Sequence, residues 1–139
     1  MTGIEHANIT VPDIDSAIRF IKIVAPDFQV RRDEKPLNSY RWVHIGNEHY
    51  YLALQEAHLD ATPQHRLQPY KNYGINHLAF VVENIAEIEK NLLENGYKRG
   101  IDTPIEKHRK RAYFYDDVGF EWELIEYLSK NPEEKFLYE

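Results

Sequence analysis

One pattern is written twice in this chain. Gly3-Ile4-Glu5-His6-Ala7-Asn8-Ile9-Thr10-Val11-Pro12-Asp13-Ile14 returns as Gly74-Ile75-Asn76-His77-Leu78-Ala79-Phe80-Val81-Val82-Glu83-Asn84-Ile85. Gly, Ile, His, Val and Ile coincide at a constant offset of 71 residues, His6 to His77. Leu52-Ala53-Leu54-Gln55-Glu56 stands 70 residues before Trp122-Glu123-Leu124-Ile125-Glu126, so Leu54 mirrors Leu124, Glu56 mirrors Glu126, and Ala53 mirrors Glu123. A repeat of this period signals two copies of one supersecondary unit, each beginning with a His-bearing strand.

Periodicity within each copy gives the elements. Residues 4 to 11 alternate, with Ala7, Ile9 and Val11 on one face and His6, Asn8 and Thr10 on the other, as a strand with one dry face requires. Asp13 or Asp15 is placed to cap a helix in which Ala17, Ile18, Ile21 and Val24 recur at helical spacing, and Pro26 ends it. Strands are expected at Phe28 to Arg32, Tyr40 to Ile45 and Tyr50 to Gln55, the last two joined through Gly46-Asn47. In the last of these, Leu52 and Leu54 face the core, leaving Tyr51, Ala53 and Gln55 on the other side. The first module is βαβββ.

The second repeats that order after a polar connector from Ala57 to Tyr73 containing Pro63 and Pro69. Its first strand places His77, Ala79 and Val81 opposite Leu78, Phe80 and Val82. Asn84 with Glu87 reads as a capping box before a stripe of Ile88, Leu92 and Leu93, and Gly96 is the stop. A strand near Tyr97 to Ile101 is followed by Arg111 to Tyr115, with Arg111, Tyr113 and Tyr115 on one face, and by Phe120 to Tyr127. There Glu121, Glu123 and Ile125 oppose Trp122, Leu124 and Glu126, so Glu123 shares a side with His6 and His77.

Bulk properties restrict the function. The chain has 139 residues, which suits one compact domain, and 42% hydrophobic with 29% charged residues is a globular balance. Its modules span about 3–57 and 74–128, with a connector at 58–73 and a tail at 129–139. No apolar run approaches the roughly 18 residues of a membrane span, and no basic-then-apolar leader opens the chain, so a cytoplasmic protein is expected. Without cysteine, a metal would have to be held by His, Asp, Glu or Gln. A net charge of -6 argues against nucleic-acid binding.

Two histidines and a carboxylate projecting from strands onto one polar face are the ligand types of a facial triad with open coordination positions. A single strand His is more often a hydrogen-bonded structural residue; here three ligand-type residues fall on related repeat positions. The chain resembles the vicinal oxygen chelate superfamily, which includes glyoxalase I, methylmalonyl-CoA epimerase, fosfomycin-resistance thiol transferases, extradiol dioxygenases and bleomycin-resistance proteins. The resemblance covers residues 3 to 128 and rests on the two His-bearing motifs and on Asp116-Asp117-Val118-Gly119-Phe120-Glu121-Trp122-Glu123-Leu124. It implies an α+β fold of two βαβββ modules forming a cupped mixed sheet, one divalent metal (Fe, Mn, Ni, Zn or Mg) at His6, His77 and Glu123, and a homodimer. Phe136-Leu137-Tyr138 could support the dimer interface.

Departures from the family pattern narrow the reaction. Ala53 stands where glyoxalase I and the epimerase carry a Glu or Gln ligand, which speaks against glyoxalase I activity. Gln55 lies about 6.6 Å further along the same face by strand rise and could reach the metal or a ligand. The fosfomycin transferases share the His, His, Glu set and a tyrosine at the position of Tyr113, but their Ser- and Gly-rich loop is replaced by Lys107-His108-Arg109-Lys110-Arg111. That basic run reads as a solvated loop, or, at the mouth of the cup, as a stretch that attracts phosphate or carboxylate groups, and His108 in it has no expected role.

The sequence therefore points to a metal-dependent lyase, isomerase, thiol transferase or dioxygenase acting on a small molecule chelated through adjacent oxygens. Tyr113, Tyr115 and Gln55 are the candidate catalytic residues, and Asn8, Trp42, His44 and Arg111 the candidate substrate-binding residues. The alternative is a metal-free protein that binds a small molecule or antibiotic, as bleomycin-resistance proteins do.

Overall fold

The computed structural model describes residues 2–61 and 68–137. Pro63 of the connector and Tyr138 of the tail lie outside the described residues. Backbone contacts divide the chain into two compact units, Met1–Arg66 and Leu67–Glu139.

In the first unit, β1 (His6–Thr10), α1 (Ile14–Val24), β2 (Gln29–Glu34), β3 (Trp42–Gly46) and β4 (Tyr51–Gln55) follow in order. Their sheet has the order β1-β4-β3-β2, with β1 parallel to β4 and the other neighbours antiparallel. In the second, β5 (His77–Val81), α2 (Ile85–Glu94), β6 (Lys98–Arg99), β7 (Arg109–Tyr115) and β8 (Glu121–Tyr127) repeat both the order and the pairing as β5-β8-β7-β6. Each unit is thus a βαβββ module, as the repeat requires.

The helices form where capping and stripe agree. Asp13, not Asp15, caps α1: its carboxylate accepts from the Asp15 and Ser16 backbone N–H groups at 2.9 and 3.2 Å. Ile14, Ala17, Ile21 and Val24 recur every three or four residues and are buried, with Phe20 filling the same face. For α2, Asn84 Oδ1 accepts from the Glu87 N–H at 3.1 Å. Its end is a Schellman closure, with Gly96 at φ 84°, the Tyr97 N–H on the Leu92 carbonyl and the Gly96 N–H on that of Leu93. The buried stripe is Ile85, Ile88 and Leu92; Leu93, expected in it, is exposed because one residue past Leu92 turns it about 100° off the face.

Each helix covers one face of its own sheet. In the first unit the dry side is Val43, Ile45, Leu52 and Leu54; in the second it is Ala112, Phe114, Trp122 and Leu124. The opposite faces carry the polar residues of β1, β3, β4 and of β5, β7, β8.

The basic run departs from expectation. It is not a solvated loop: β7 begins at Arg109, which is 7% exposed, and Glu106 binds both Arg109 and Arg111. His108 is buried as well, with Nδ1 3.6 Å from Glu134 in the C-terminal turn Pro132–Glu134. A nearby carboxylate five residues before Arg111 is what converts a charge run into packed structure.

Candidate functional site

The polar face of the second unit is a grid set by strand register. His77 pairs with Glu121 and Glu121 with Tyr115; Ala79 pairs with Glu123 and Glu123 with Tyr113; Val81 pairs with Ile125 and Ile125 with Arg111. The first unit repeats it with other side chains. His6 pairs with Tyr51 and Tyr51 with Gly46, Asn8 with Ala53 and Ala53 with His44, Thr10 with Gln55 and Gln55 with Trp42. Ala53 and Glu123 are therefore equivalent in register, as are His44 and Tyr113. At Gly46 the mirrored tyrosine has no room, because an added Cβ would stand 2.1 Å from the Tyr50 carbonyl oxygen.

His77 lies between acceptors on both ring nitrogens. Nε2 is 3.2 Å from Glu123 Oε2, while Nδ1 is 3.0 Å from the Tyr70 hydroxyl and 3.4 Å from Glu121 Oε1. A neutral imidazole has one N–H, so one of these contacts sets a lone pair against an oxygen lone pair unless a cation intervenes or the ring gains a proton. The charge count has the same sign among the described residues: Glu106, Glu121 and Glu123, with side chains 8%, 4% and 9% exposed, outnumber Arg109 and Arg111 by one when His77 and His108 are neutral. Buried charge left unmatched is costly.

A divalent ion fits this donor pair. Two donors about 2.1 Å from one ion, at right-angled to tetrahedral angles, stand about 3.0–3.4 Å apart, which brackets the His77–Glu123 separation. Among the described residues, no group of three His, Asp or Glu side chains stands in the arrangement of an ion's ligands.

Arg111 anchors the other edge of Glu123. Its Nη1 is 3.4 Å from Glu123 Oε1 and donates at 3.4 Å to the Tyr113 hydroxyl, while its Nε donates to Glu106 at 2.6 Å. Glu106 is held below the usual carboxylate range, chiefly by the Arg109 hydrogen bond, with Arg111 adding to it. Tyr113 meets the His77 ring edge-on at 5.4 Å. Burial raises the Tyr113 phenol, with the Glu123 charge adding, and burial raises Tyr115, with Glu121 adding. At neutral pH both are therefore hydrogen-bond donors rather than bases.

In the first unit, Asn8, Tyr40, Trp42, His44, Ala53, Leu54 and Gln55 line a cleft of about 230 Å³. It brings together Asn8, Trp42, His44 and Gln55, the first-module residues expected to be catalytic or substrate-binding, while His6, the expected ligand, is not in its lining. Every lining side chain is uncharged if His44 is neutral, and burial, helped by the charges of His6, Arg32 and Arg31, lowers the His44 pKa. His6 stacks on Tyr51 with ring centroids 4.6 Å apart, and its Nδ1 is 3.5 Å from Glu5 Oε2.

Three residues escaped the sequence reading. Glu121 shares the phase of Glu123 and was there to be found; Glu106 and Tyr70 sit outside any period, so only folding brings them to the site. Tyr70 donates its hydroxyl to Glu121 in a very short hydrogen bond, which raises the Tyr70 phenol.

Solved structures share this fold at low identity. A glyoxalase family protein from Bacillus cereus superposes with a TM-score of 0.76 at 18% identity, covering 93% of this chain and 96% of that one. The fosfomycin resistance protein FosX from Mesorhizobium loti gives 0.66 at 17% identity, with 96% of each chain covered. A FosX mutant from Listeria monocytogenes, complexed with Mn(II) and 1S,2S-dihydroxypropylphosphonic acid, gives 0.68 at 13% identity and covers 99% of each. No curated protein matches the chain. The sequence profile of one family matches residues 3–124, and the duplicated βαβββ modules agree with it: the chain belongs to the Glyoxalase/Bleomycin resistance protein/Dioxygenase superfamily.

Proposed function

We propose that this chain is a divalent-metal-dependent enzyme whose protein ligands are His6, His77 and Glu123, and whose substrate is a small oxygen-rich molecule presenting two adjacent oxygens. The observation that carries the reading is the imidazole–carboxylate pair, His77 Nε2 and Glu123 Oε2 at 3.2 Å, with a second buried carboxylate, Glu121, on the other ring nitrogen. His6 joins it by its repeat position. Mn(II), held by the Listeria FosX structure, is the first ion to test.

When bound, the ion would act as a Lewis acid toward negative charge developing on a substrate oxygen. The chain's own residues have separate tasks. Arg111 fixes the orientation of Glu123 through Oε1 and leaves Oε2 toward His77. Tyr113, protonated at neutral pH, donates a hydrogen bond to a substrate oxygen or delivers its proton to one. Tyr115 holds Glu121 through a 3.3 Å hydrogen bond. Asn8, Gln55, Trp42 and His44 supply amides and rings for the uncharged part of the substrate. The chain acts as a homodimer in the cytoplasm; light scattering tests the assembly.

Elemental analysis and Mn(II) titration of protein purified without a polyhistidine tag provide the test. One ion per chain is expected, lost in His77→Ala, Glu123→Ala and His6→Ala. Failure of the wild type to bind Mn(II), Zn(II) or Fe(II) sinks the reading. It would leave the second one, a metal-free binding protein, which the Ala53-floored aromatic cleft favours and which predicts binding of small aromatic molecules with no ion present.

A further inference from the structure

We propose that Tyr70 and Glu121 are positioning residues for His77: together they take the proton on Nδ1 and so keep Nε2 as the lone-pair nitrogen that faces Glu123. The purpose assigned to this arrangement rests on the metal-binding reading; the geometry does not.

Glu121 is the fixed point. Its side chain is 4% exposed, and its carboxylate accepts from two phenols, Tyr70 on Oε1 and Tyr115 on Oε2. Because the Tyr70 proton is directed to Glu121, the Tyr70 oxygen presents a lone pair to His77 Nδ1 at 3.0 Å, and Glu121 Oε1 presents another at 3.4 Å. Two acceptors thus converge on Nδ1 against one, Glu123 Oε2, on Nε2, and that balance is the ground for assigning the hydrogen to Nδ1. A metal-bound histidine needs this arrangement on its distal nitrogen, since the outer acceptor fixes both tautomer and ring orientation.

The placement of Tyr70 is itself enforced. Its φ of 66° puts a bulky residue in the left-handed region, a strained conformation that surrounding interactions must offset. The backbone N–H of Tyr70 donates to Asn76 Oδ1 at 2.6 Å, one residue before His77, which ties the turn to the start of β5. The segment between the two modules, which sequence alone reads as a connector, thus delivers a side chain to the histidine.

The test separates this claim from metal binding. Histidine nitrogens of the ¹⁵N-labelled, metal-free full chain are observed by long-range ¹H–¹⁵N spectroscopy at alkaline pH, where an imidazole carries one proton. His77→Gln identifies the signals. The wild type is expected to show a protonated Nδ1 and a lone-pair Nε2. Glu121→Gln, whose amide can donate to Nδ1, and Tyr70→Phe are expected to move the proton toward Nε2, where Glu123 accepts it. Calorimetric titration with Mn(II) and Zn(II) should then show affinity weakened about 10–100-fold in both variants. A wild-type ring protonated on Nε2, or variants with the wild-type tautomer, overturns the proposal. The expected tautomers with no ion binding by the wild type support the positioning role and overturn the metal reading instead. Tyr70 is exposed, so Tyr70→Phe carries the test should Glu121→Gln fail to fold.

Discussion

Replacing Glu106 by Gln tests whether buried charge matching holds the second unit together. Glu106 Oε1 accepts from Arg109 Nε at 2.8 Å and lies 2.7 Å from its Nη2, and Oε2 accepts from Arg111 Nε at 2.6 Å. Breaking a buried ion pair by removing one partner costs about 3–5 kcal/mol, because the other charge is left uncompensated. Here Gln retains a carbonyl acceptor and Arg111 retains Glu123, so the low end, about 3 kcal/mol, is expected. For a chain of this size that lowers Tm by about 10 °C, measurable by circular dichroism or calorimetry. The pH dependence has a defined sign. Arg109 first, then Arg111, depress the Glu106 pKa, so its stabilisation is present above the unfolded Glu value of about 4.3 and disappears as pH falls through the lower folded value. The wild type and Glu106→Gln should therefore differ widely at pH 7 and converge in acid. A loss below about 1 kcal/mol at pH 7, or a difference that persists unchanged in acid, refutes the reasoning.

Other perturbations address the caps, the cleft and the ion. Asn84→Ala removes the acceptor for the Glu87 N–H and should cost about 1 kcal/mol in urea unfolding, with no change in m-value. Ala53→Glu introduces a carboxylate beside His44, its cross-strand partner, and should raise the His44 pKa followed by NMR; a further fall would contradict the register. Mn(II) at about 100 times its Kd should add about 2.7 kcal/mol of stability, seen as a Tm increase that EDTA reverses and that Glu123→Ala abolishes.

The repeat carried almost all of the fold. With the periodicity inside each copy it gave the βαβββ succession of both units and the shared phase of His6, His77 and Glu123, because an offset of 71 residues from His6 to His77 relates two elements whose side-chain period is fixed by strand geometry. Where it failed, the missing information was tertiary. The sequence treated Lys107 to Arg111 by composition alone, whereas Glu106 decides its structure by pairing with two of its members. Tyr70 reaches Glu121 across 51 positions from a stretch without periodicity, so no local pattern could announce it. Glu121 is different: its phase is explicit in the sequence, but its repeat mate is Tyr51, so the duplication itself does not mark it.

That last mismatch shows what the duplication has been used for. At equivalent grid positions the second unit has Glu121, Glu123, Tyr113 and Arg111 where the first has Tyr51, Ala53, His44 and Trp42. Only the leading histidine is common to both. A carboxylate at position 53 would face Asn8 and His44, with Trp42 in the place that Arg111 holds in the second unit, so its cross-strand compensation would have to come from a protonated His44. Alanine there removes that need and opens the cleft between Trp42 and Gln55. Charged side chains are thus concentrated on this face of one unit, where guanidiniums are present to compensate them, and uncharged ones line the cleft of the other. Accommodating a carboxylate here would accordingly require Ala53→Glu together with a cationic residue in place of Trp42; the single change should lower stability and leave Mn(II) affinity unimproved.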